Sequence, residues 1–79
     1  MREIDRGMSG PDVARWERFL VNKGHLARPG SGVFDEGSEA GTRAFQAASG
    51  MESSGRVDAV TLARGLADGL LDKNLSEEV

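Results

Sequence analysis

The chain has 79 residues, of which 38% are hydrophobic and 29% charged, a balance that is typical of one small globular domain and argues against disorder. It contains no cysteine, which excludes disulfide bonds and thiolate metal sites. Its 10 basic and 13 acidic residues give a net charge of −3, which lacks the cationic excess of non-specific nucleic-acid binding.

The first predicted helix runs from Pro11 to Lys23. Proline suits the first helical position, and Ser9 followed by Asp12 is typical of a capping box. Gly24 is expected to end the helix. Its apolar stripe consists of Val13, Trp16 and Leu20. This stripe places Trp16 in the core, although stacking on a sugar ring in a groove is the alternative.

The second predicted helix runs from Glu36 to Ala48, and Gly37 and Gly41 weaken it by about 1 kcal/mol each relative to alanine. Its expected apolar face consists of Ala44, Phe45 and Ala48. Its expected polar side consists of Glu39, Arg43 and Gln46.

The third predicted helix runs from Ala59 to Leu71. Its expected apolar face consists of Ala59, Leu62, Ala63, Leu66 and Leu70. No segment has the alternation of a long strand. We therefore predict an all-α fold, a compact three-helix bundle, with one domain over residues 1–71 and a frayed tail over residues 72–79.

Two segments of the chain have similar sequences. The segments that begin at Ser31 and Ser54 both read Ser-Gly-x-hydrophobic-Asp-x-x-Ser/Thr. In each, glycine permits a tight turn, the hydrophobic residue is expected to enter the core, and Asp35 or Asp58 is expected to cap the next helix. The pattern predicts a duplicated glycine-turn-plus-helix unit.

This order of motifs resembles the peptidoglycan-binding domain of the three-helix type, which is found on bacterial and phage cell-wall hydrolases. A related fold forms the pro-domain of matrix metalloproteinases. The chain departs from the family pattern at Glu17, where a glutamine is usual, and at Ser31 and Ser54, where aspartate is usual. The matching stretches are Gly7 to Val13, Gly32-Val33-Phe34, Ser38, Phe45-Gln46, Gly50-Met51, Gly55-Arg56-Val57 and Thr61.

The resemblance implies a non-catalytic module that binds peptidoglycan, through its stem peptide or its glycan, and targets an attached or associated enzyme to the bacterial cell wall. The alternative is a protein–protein adaptor or regulatory domain that uses the same fold, and the departures from the pattern favour it. We expect a monomer with no cofactor and with neither nucleic acid nor a membrane as partner. No export leader follows Met1, so the chain as written is cytoplasmic unless it is excised from, or exported with, a cell-wall or phage protein.

Five residues are candidates for ligand binding. Glycine turns let a ligand approach backbone groups, and arginines can clasp the carboxylates of a peptide stem. The glutamine either contacts the ligand or satisfies backbone groups of the loops. The candidates are Ser31, Gly32, Arg43, Gln46 and Arg56. His25 is the single histidine, which argues against a metal site and a catalytic triad, so we expect neither a metal nor a catalytic residue.

Overall fold

The computed structural model describes residues 2–27, 30 and 32–70. Three helices follow one another in the chain: α1 (Pro11–Asn22), α2 (Glu36–Ala48) and α3 (Ala59–Ala67). Within these described ranges there is no strand, only two isolated antiparallel bridges. The structure confirms the all-α class and the three-helix arrangement. The duplication of a turn-plus-helix unit and the domain limits stay predictions, and the tail over residues 72–79 lies outside the described residues.

The core is built around three aromatic rings from α1 and α2. Trp16 lies 5.2 Å from Phe19 and 5.6 Å from Phe45 between ring centroids, and Phe19 lies 5.2 Å from Phe45. The indole N–H of Trp16 donates to the hydroxyl of Thr42 at 2.9 Å, so its polar edge is satisfied inside the core. These contacts confirm the core assignment of Trp16 and Phe45.

Each of the three helices is followed, two residues after its last residue, by a glycine in the left-handed region. Gly24, Gly50 and Gly69 have φ between 72° and 109°, and the residue after each donates its backbone N–H to a carbonyl of the last helical turn. This is the Schellman arrangement, which satisfies helix-end carbonyls and favours glycine. It also corrects the predicted end of α3. That helix stops at Ala67, and Leu70 returns to the core beyond Gly69.

The N-terminal segment (residues 2–10) pairs with two turns that precede α2 and α3. We name these the first turn (residues 32–35) and the second turn (residues 55–58). Ser9 forms a bridge with Val33 of the first turn, and Ile4 forms one with Val57 of the second. Both backbone hydrogen bonds between Ile4 and Val57 are 2.9 Å long. The N-terminal segment therefore ties both turns together through backbone pairing.

The predicted capping box of α1 is wrong. The N-cap residue is Gly10, which has no side chain to form a capping hydrogen bond, and Asp12 accepts only from the backbone N–H of its neighbour Val13. Ser9 instead pairs with the first turn, and its carbonyl accepts from Arg2. The carboxylate of Asp12 forms an ion pair with Arg2 at 2.7 Å. Tertiary contacts therefore engage the backbone of Ser9 and the side chain of Asp12, the two residues that local sequence assigned to the cap.

The buried faces of α2 and α3 also differ from the predicted ones. Ala44 and Ala48 are exposed, and so are Ala59, Ala63 and Leu66, whereas Phe45, Leu62 and Leu70 are buried as predicted. The buried face of α2 consists of Ser38, Gly41, Thr42, Phe45 and Gln46. The helix turns small and polar residues inward because they have internal partners there. At Gly41 the reason is space, since a Cβ would lie 2.9 Å from the carbonyl oxygen of His25.

Candidate functional site

The side chain of Gln46 holds the second turn from within. It is 1% exposed. Its carbonyl oxygen accepts from the backbone N–H of Gly55 at 2.9 Å, and its amide donates to the carbonyl of Arg56 at 2.9 Å and to the hydroxyl of Thr61 at 3.0 Å. Of the two roles considered for Gln46, the structure shows the satisfaction of loop backbone groups. It therefore presents no free polar group to a ligand.

Glu17 of α1 reaches into the first turn in a similar way. It is also 1% exposed. One carboxylate oxygen accepts from the backbone N–H of Gly32 at 2.9 Å, and the other bonds the hydroxyl of Ser38. Gly30 lies against the carboxylate, since a Cβ there would come within 2.1 Å of the Glu17 carboxyl carbon. Glu17, at which the chain departs from the family pattern, thus has a structural role, since it binds backbone and side-chain groups of the first turn and α2.

Each turn ends in an aspartate that caps the following helix. Asp35 accepts from the backbone N–H of Ser38 at 3.0 Å, and Asp58 accepts from that of Thr61 at 2.9 Å. The backbone N–H of Ser38, and then its hydroxyl, lower the pKa of Asp35 below the ordinary value of 3.8. The same two groups of Thr61 lower the pKa of Asp58. Hydrogen bonds to the charged form favour it, so both caps are anionic at neutral pH.

The remaining predicted ligand residues are divided between the turns. The backbone N–H of Gly32 is already bonded to Glu17, and Ser31 lies outside the described residues. Arg43 is exposed on α2 and forms an ion pair with Glu39 at 2.8 Å. Its Nε would lie 3.1 Å from a Cβ at Gly55, so its side chain packs on the second turn. Arg56, in the second turn, is exposed. The structure therefore brings Arg43 to the second turn, while Gly32 lies in the first.

The described residues line two grooves that are open on the surface. The first, of about 540 Å³, follows the outer face of α1, and we name it the α1 groove. Its lining includes Ala14, Arg18, Val21, Asn22 and Gly30. The second, of about 340 Å³, lies beside the start of α3, and we name it the α3 groove. Its lining includes Met51, Glu52, Ser54, Asp58 and Val60. The α1 groove carries an arginine and the α3 groove two carboxylates, so the two favour ligands of opposite charge.

Sequence reasoning did not propose any lining residue of the two grooves as a ligand contact, although it singled out Ser54 and Asp58 for other reasons. Arg18 was not a candidate ligand residue, because it does not flank either glycine turn in the sequence. The usable signal was its position: Ala14, Arg18 and Asn22 are spaced four residues apart and must share one face of α1. In the described part of the chain, no group of three or more acidic or histidine side chains is placed to hold a metal ion. No helix there has the length and hydropathy to cross a membrane.

Comparison with known families gives one match. A family model with the description "Putative peptidoglycan binding domain" matches residues 9–64, which is more than half of the chain. The chain belongs to this family. Neither a curated protein nor a solved structure matched it. The match confirms the resemblance seen in the motifs, and the family is one of binding domains, with a cell-wall polymer as the partner. The matched range includes α1, α2, both turns and the larger part of α3.

Proposed function

We propose that this peptidoglycan-binding domain is a non-catalytic module that targets an attached or associated enzyme to the bacterial cell wall. The observation that carries the proposal is the family match over residues 9–64. The architecture supports it, since both turns are held by buried side chains and two grooves are open on the surface of the described residues. Tethering raises the effective concentration of an enzyme at its polymer, so modest affinity suffices.

The test is co-sedimentation of the purified chain with peptidoglycan sacculi from which proteins have been stripped. We expect a saturable pellet fraction with a dissociation constant of about 10 μM to 1 mM, since the surface is small and offers few convergent polar groups. Cellulose serves as an insoluble polysaccharide control. A pellet fraction equal on sacculi and cellulose would contradict the proposal.

The ligand contacts predicted at Gly32, Arg43 and Arg56 are part of the same proposal. Chemical-shift mapping with soluble muropeptides tests them, since Gly32 reports on the first turn and Arg56 on the second. Arg43→Ala and Arg56→Ala remove exposed side chains and are expected to leave the fold intact. Unchanged affinity in both variants would remove these two arginines from the site.

A protein–protein adaptor is the second candidate function, and one observation favours it. The outer face of α3 is largely apolar, with Val60 66% exposed and Leu66 44% exposed. An apolar helix face open to solvent is typical of a surface that contacts a protein. The departure at Glu17 no longer favours this candidate, because Glu17 is buried against the first turn. Two results together would favour the adaptor. The wild-type chain would fail to bind sacculi, and a protein partner that it binds would no longer bind the Leu66→Ser variant.

A further inference from the structure

The surface of this domain offers no aromatic ring for a sugar. The chain contains one tryptophan, three phenylalanines and no tyrosine. All four aromatic side chains are described, and their exposed fractions are 0% for Trp16, 5% for Phe19, 0% for Phe34 and 2% for Phe45. A glycan strand presents sugar faces that proteins commonly meet with a partly exposed ring. A sugar face therefore finds no exposed tryptophan, tyrosine or phenylalanine ring to stack on in this chain.

Arg18 is exposed, and its guanidinium forms no ion pair with a described carboxylate. Among the described arginines, four form ion pairs with carboxylates: Arg2, Arg6, Arg43 and Arg64. Arg18 has no such partner among the described residues, and it lines the α1 groove. A guanidinium presents a planar fork of N–H donors that fits a carboxylate in two parallel hydrogen bonds. The groove therefore carries an anchor for a carboxylate.

The other groups of the α1 groove suit a peptide. Asn22 lies one helical turn beyond Arg18 on the same face, and its amide can both donate to and accept from a peptide unit. Ala14 and Val21 add apolar surface for small side chains. None of the described lining residues of this groove is acidic, whereas the α3 groove has Glu52 and Asp58, which repel a carboxylate. An anionic ligand is therefore attracted to the α1 groove and repelled by the α3 groove.

Building on the proposed function, we propose that the α1 groove binds the peptide stem of peptidoglycan and not its glycan strand. Arg18 holds a carboxylate of the stem, and Asn22 bonds its peptide backbone. The stem is the part of the polymer that carries free carboxylates and short side chains. The chemistry of the groove matches both features.

The experiment is an NMR titration of the ¹⁵N-labelled chain with three ligands. These are the stem peptide with free carboxylates, the same peptide with its carboxylates converted to amides, and glycan strands from which an amidase has removed the peptides. We expect shifts along α1 with the free peptide alone. Arg18→Ala should weaken that binding about tenfold to a hundredfold, as loss of a charged hydrogen-bonded pair does. Arg64→Ala on α3 is the matched control, with equal charge loss and unchanged affinity.

The outcomes separate this inference from the proposed function. Wild-type binding to sacculi without binding to the free peptide overturns the stem assignment and leaves the wall-binding function standing. Equal weakening by Arg18→Ala and Arg64→Ala overturns the groove assignment, as does equal affinity for peptide and stripped glycan. A wild-type chain that does not pellet with sacculi overturns the proposed function, and the inference with it. A dispersed ¹⁵N spectrum of Arg18→Ala shows that the fold is retained.

Discussion

The first and second turns differ in the side chain that reaches into each from the preceding helix. A carboxylate, Glu17, enters the first turn, and an amide, Gln46, enters the second. Each accepts from the backbone N–H of the turn glycine at 2.9 Å. The second polar atom of each side chain contacts a hydroxyl of the following helix, and here the two turns differ. In the first turn a carboxylate oxygen of Glu17 contacts Ser38, and in the second the amide nitrogen of Gln46 contacts Thr61.

The chemistry of that second contact changes the direction of hydrogen bonding. The amide of Gln46 donates to the hydroxyl of Thr61, which leaves the hydroxyl proton free for the cap Asp58. The carboxylate of Glu17 only accepts, so it requires the proton of Ser38, whose oxygen also lies 2.9 Å from a carboxylate oxygen of Asp35. Two carboxylates therefore compete for one hydroxyl proton in the first turn, and none compete in the second.

The space around the two glycines differs as well. Gly32 and Gly55 have φ of 89° and 82°, so both occupy the left-handed region. A Cβ at Gly32 would meet nothing within 4 Å, whereas one at Gly55 would lie 2.8 Å from Cγ of Glu39 and 3.1 Å from Nε of Arg43. The first turn is open on this side and the second is covered. Conformation alone requires glycine at the first turn, and conformation and space together require it at the second.

Exchanging the two side chains should have unequal effects, and this is the largest difference we expect. Gln46→Glu replaces the donor to the Arg56 carbonyl with a buried carboxylate oxygen, and we expect it to cost about 3 to 5 kcal/mol. Glu17→Gln keeps the acceptor for Gly32 and adds a donor for Ser38, so we expect a change within about 1 kcal/mol. Urea unfolding followed by the fluorescence of the buried Trp16 measures both.

Glu17→Gln and Gln46→Glu are controls for each other, because each substitution exchanges a single side-chain oxygen for nitrogen or the reverse. Equal destabilisation by Glu17→Gln and Gln46→Glu would show that the hydrogen-bond direction is not what distinguishes the turns. Stabilisation by Glu17→Gln would agree with the competition at Ser38.

Substitution of the turn glycines should have a smaller but still unequal effect. Asparagine tolerates the left-handed region better than other residues, so Gly32→Asn is expected to cost about 1 kcal/mol or less. Gly55→Asn must also displace Glu39 or Arg43, and we expect a cost of about 2 to 3 kcal/mol. Thermal unfolding followed by circular dichroism compares the two. Equal costs at both positions would contradict the difference in space.

The helices were predictable because local signals set their limits. Glu36–Ala48 agrees with the predicted bounds of α2, and Pro11 begins α1 as expected. The predicted end of α3 failed because Leu70 fits the apolar stripe although Gly69 already ends the helix. A glycine followed by a leucine is the sequence signal of that ending. Local reasoning therefore succeeds for helix bounds when the capping residue is given more weight than the stripe.

The buried polar residues could not be predicted from hydrophobicity. Glu17 is polar, yet it lies four residues after Val13 and three before Leu20, which places it on the buried side of α1. Its burial depends on a partner in the first turn, fifteen residues away. The charged residues of the candidate site could not be predicted for the same reason. Whether Arg18 or Arg43 has a free charge depends on which carboxylate the fold places beside it. Tertiary contacts, which the sequence pattern does not contain, decide both questions.

The smallest expected effect concerns pH and the two caps. The pKa of Asp35 and that of Asp58 are lowered in the folded chain by hydrogen bonds from Ser38 and Thr61. Their carboxylates therefore add stability that is fully present well above the ordinary value of 3.8 and is lost as the pH falls through the lowered folded pKa. Each charge at an exposed helix N-terminus contributes about 0.3 to 1 kcal/mol.

Asparagine at these positions removes the titration and keeps an acceptor for the cap, since it is as good an N-cap as aspartate. We expect Asp35→Asn and Asp58→Asn, measured by urea unfolding from pH 6 to pH 2.5, to flatten the loss of stability on acidification. Asp58→Asn should flatten it more, because Thr61 gives its hydroxyl proton to Asp58 without competition, whereas Ser38 divides its own between Asp35 and Glu17. Glu17→Gln should remove that inequality by freeing the Ser38 proton for Asp35. An inequality that persists in the Glu17→Gln background would show that the competing carboxylate is not its cause.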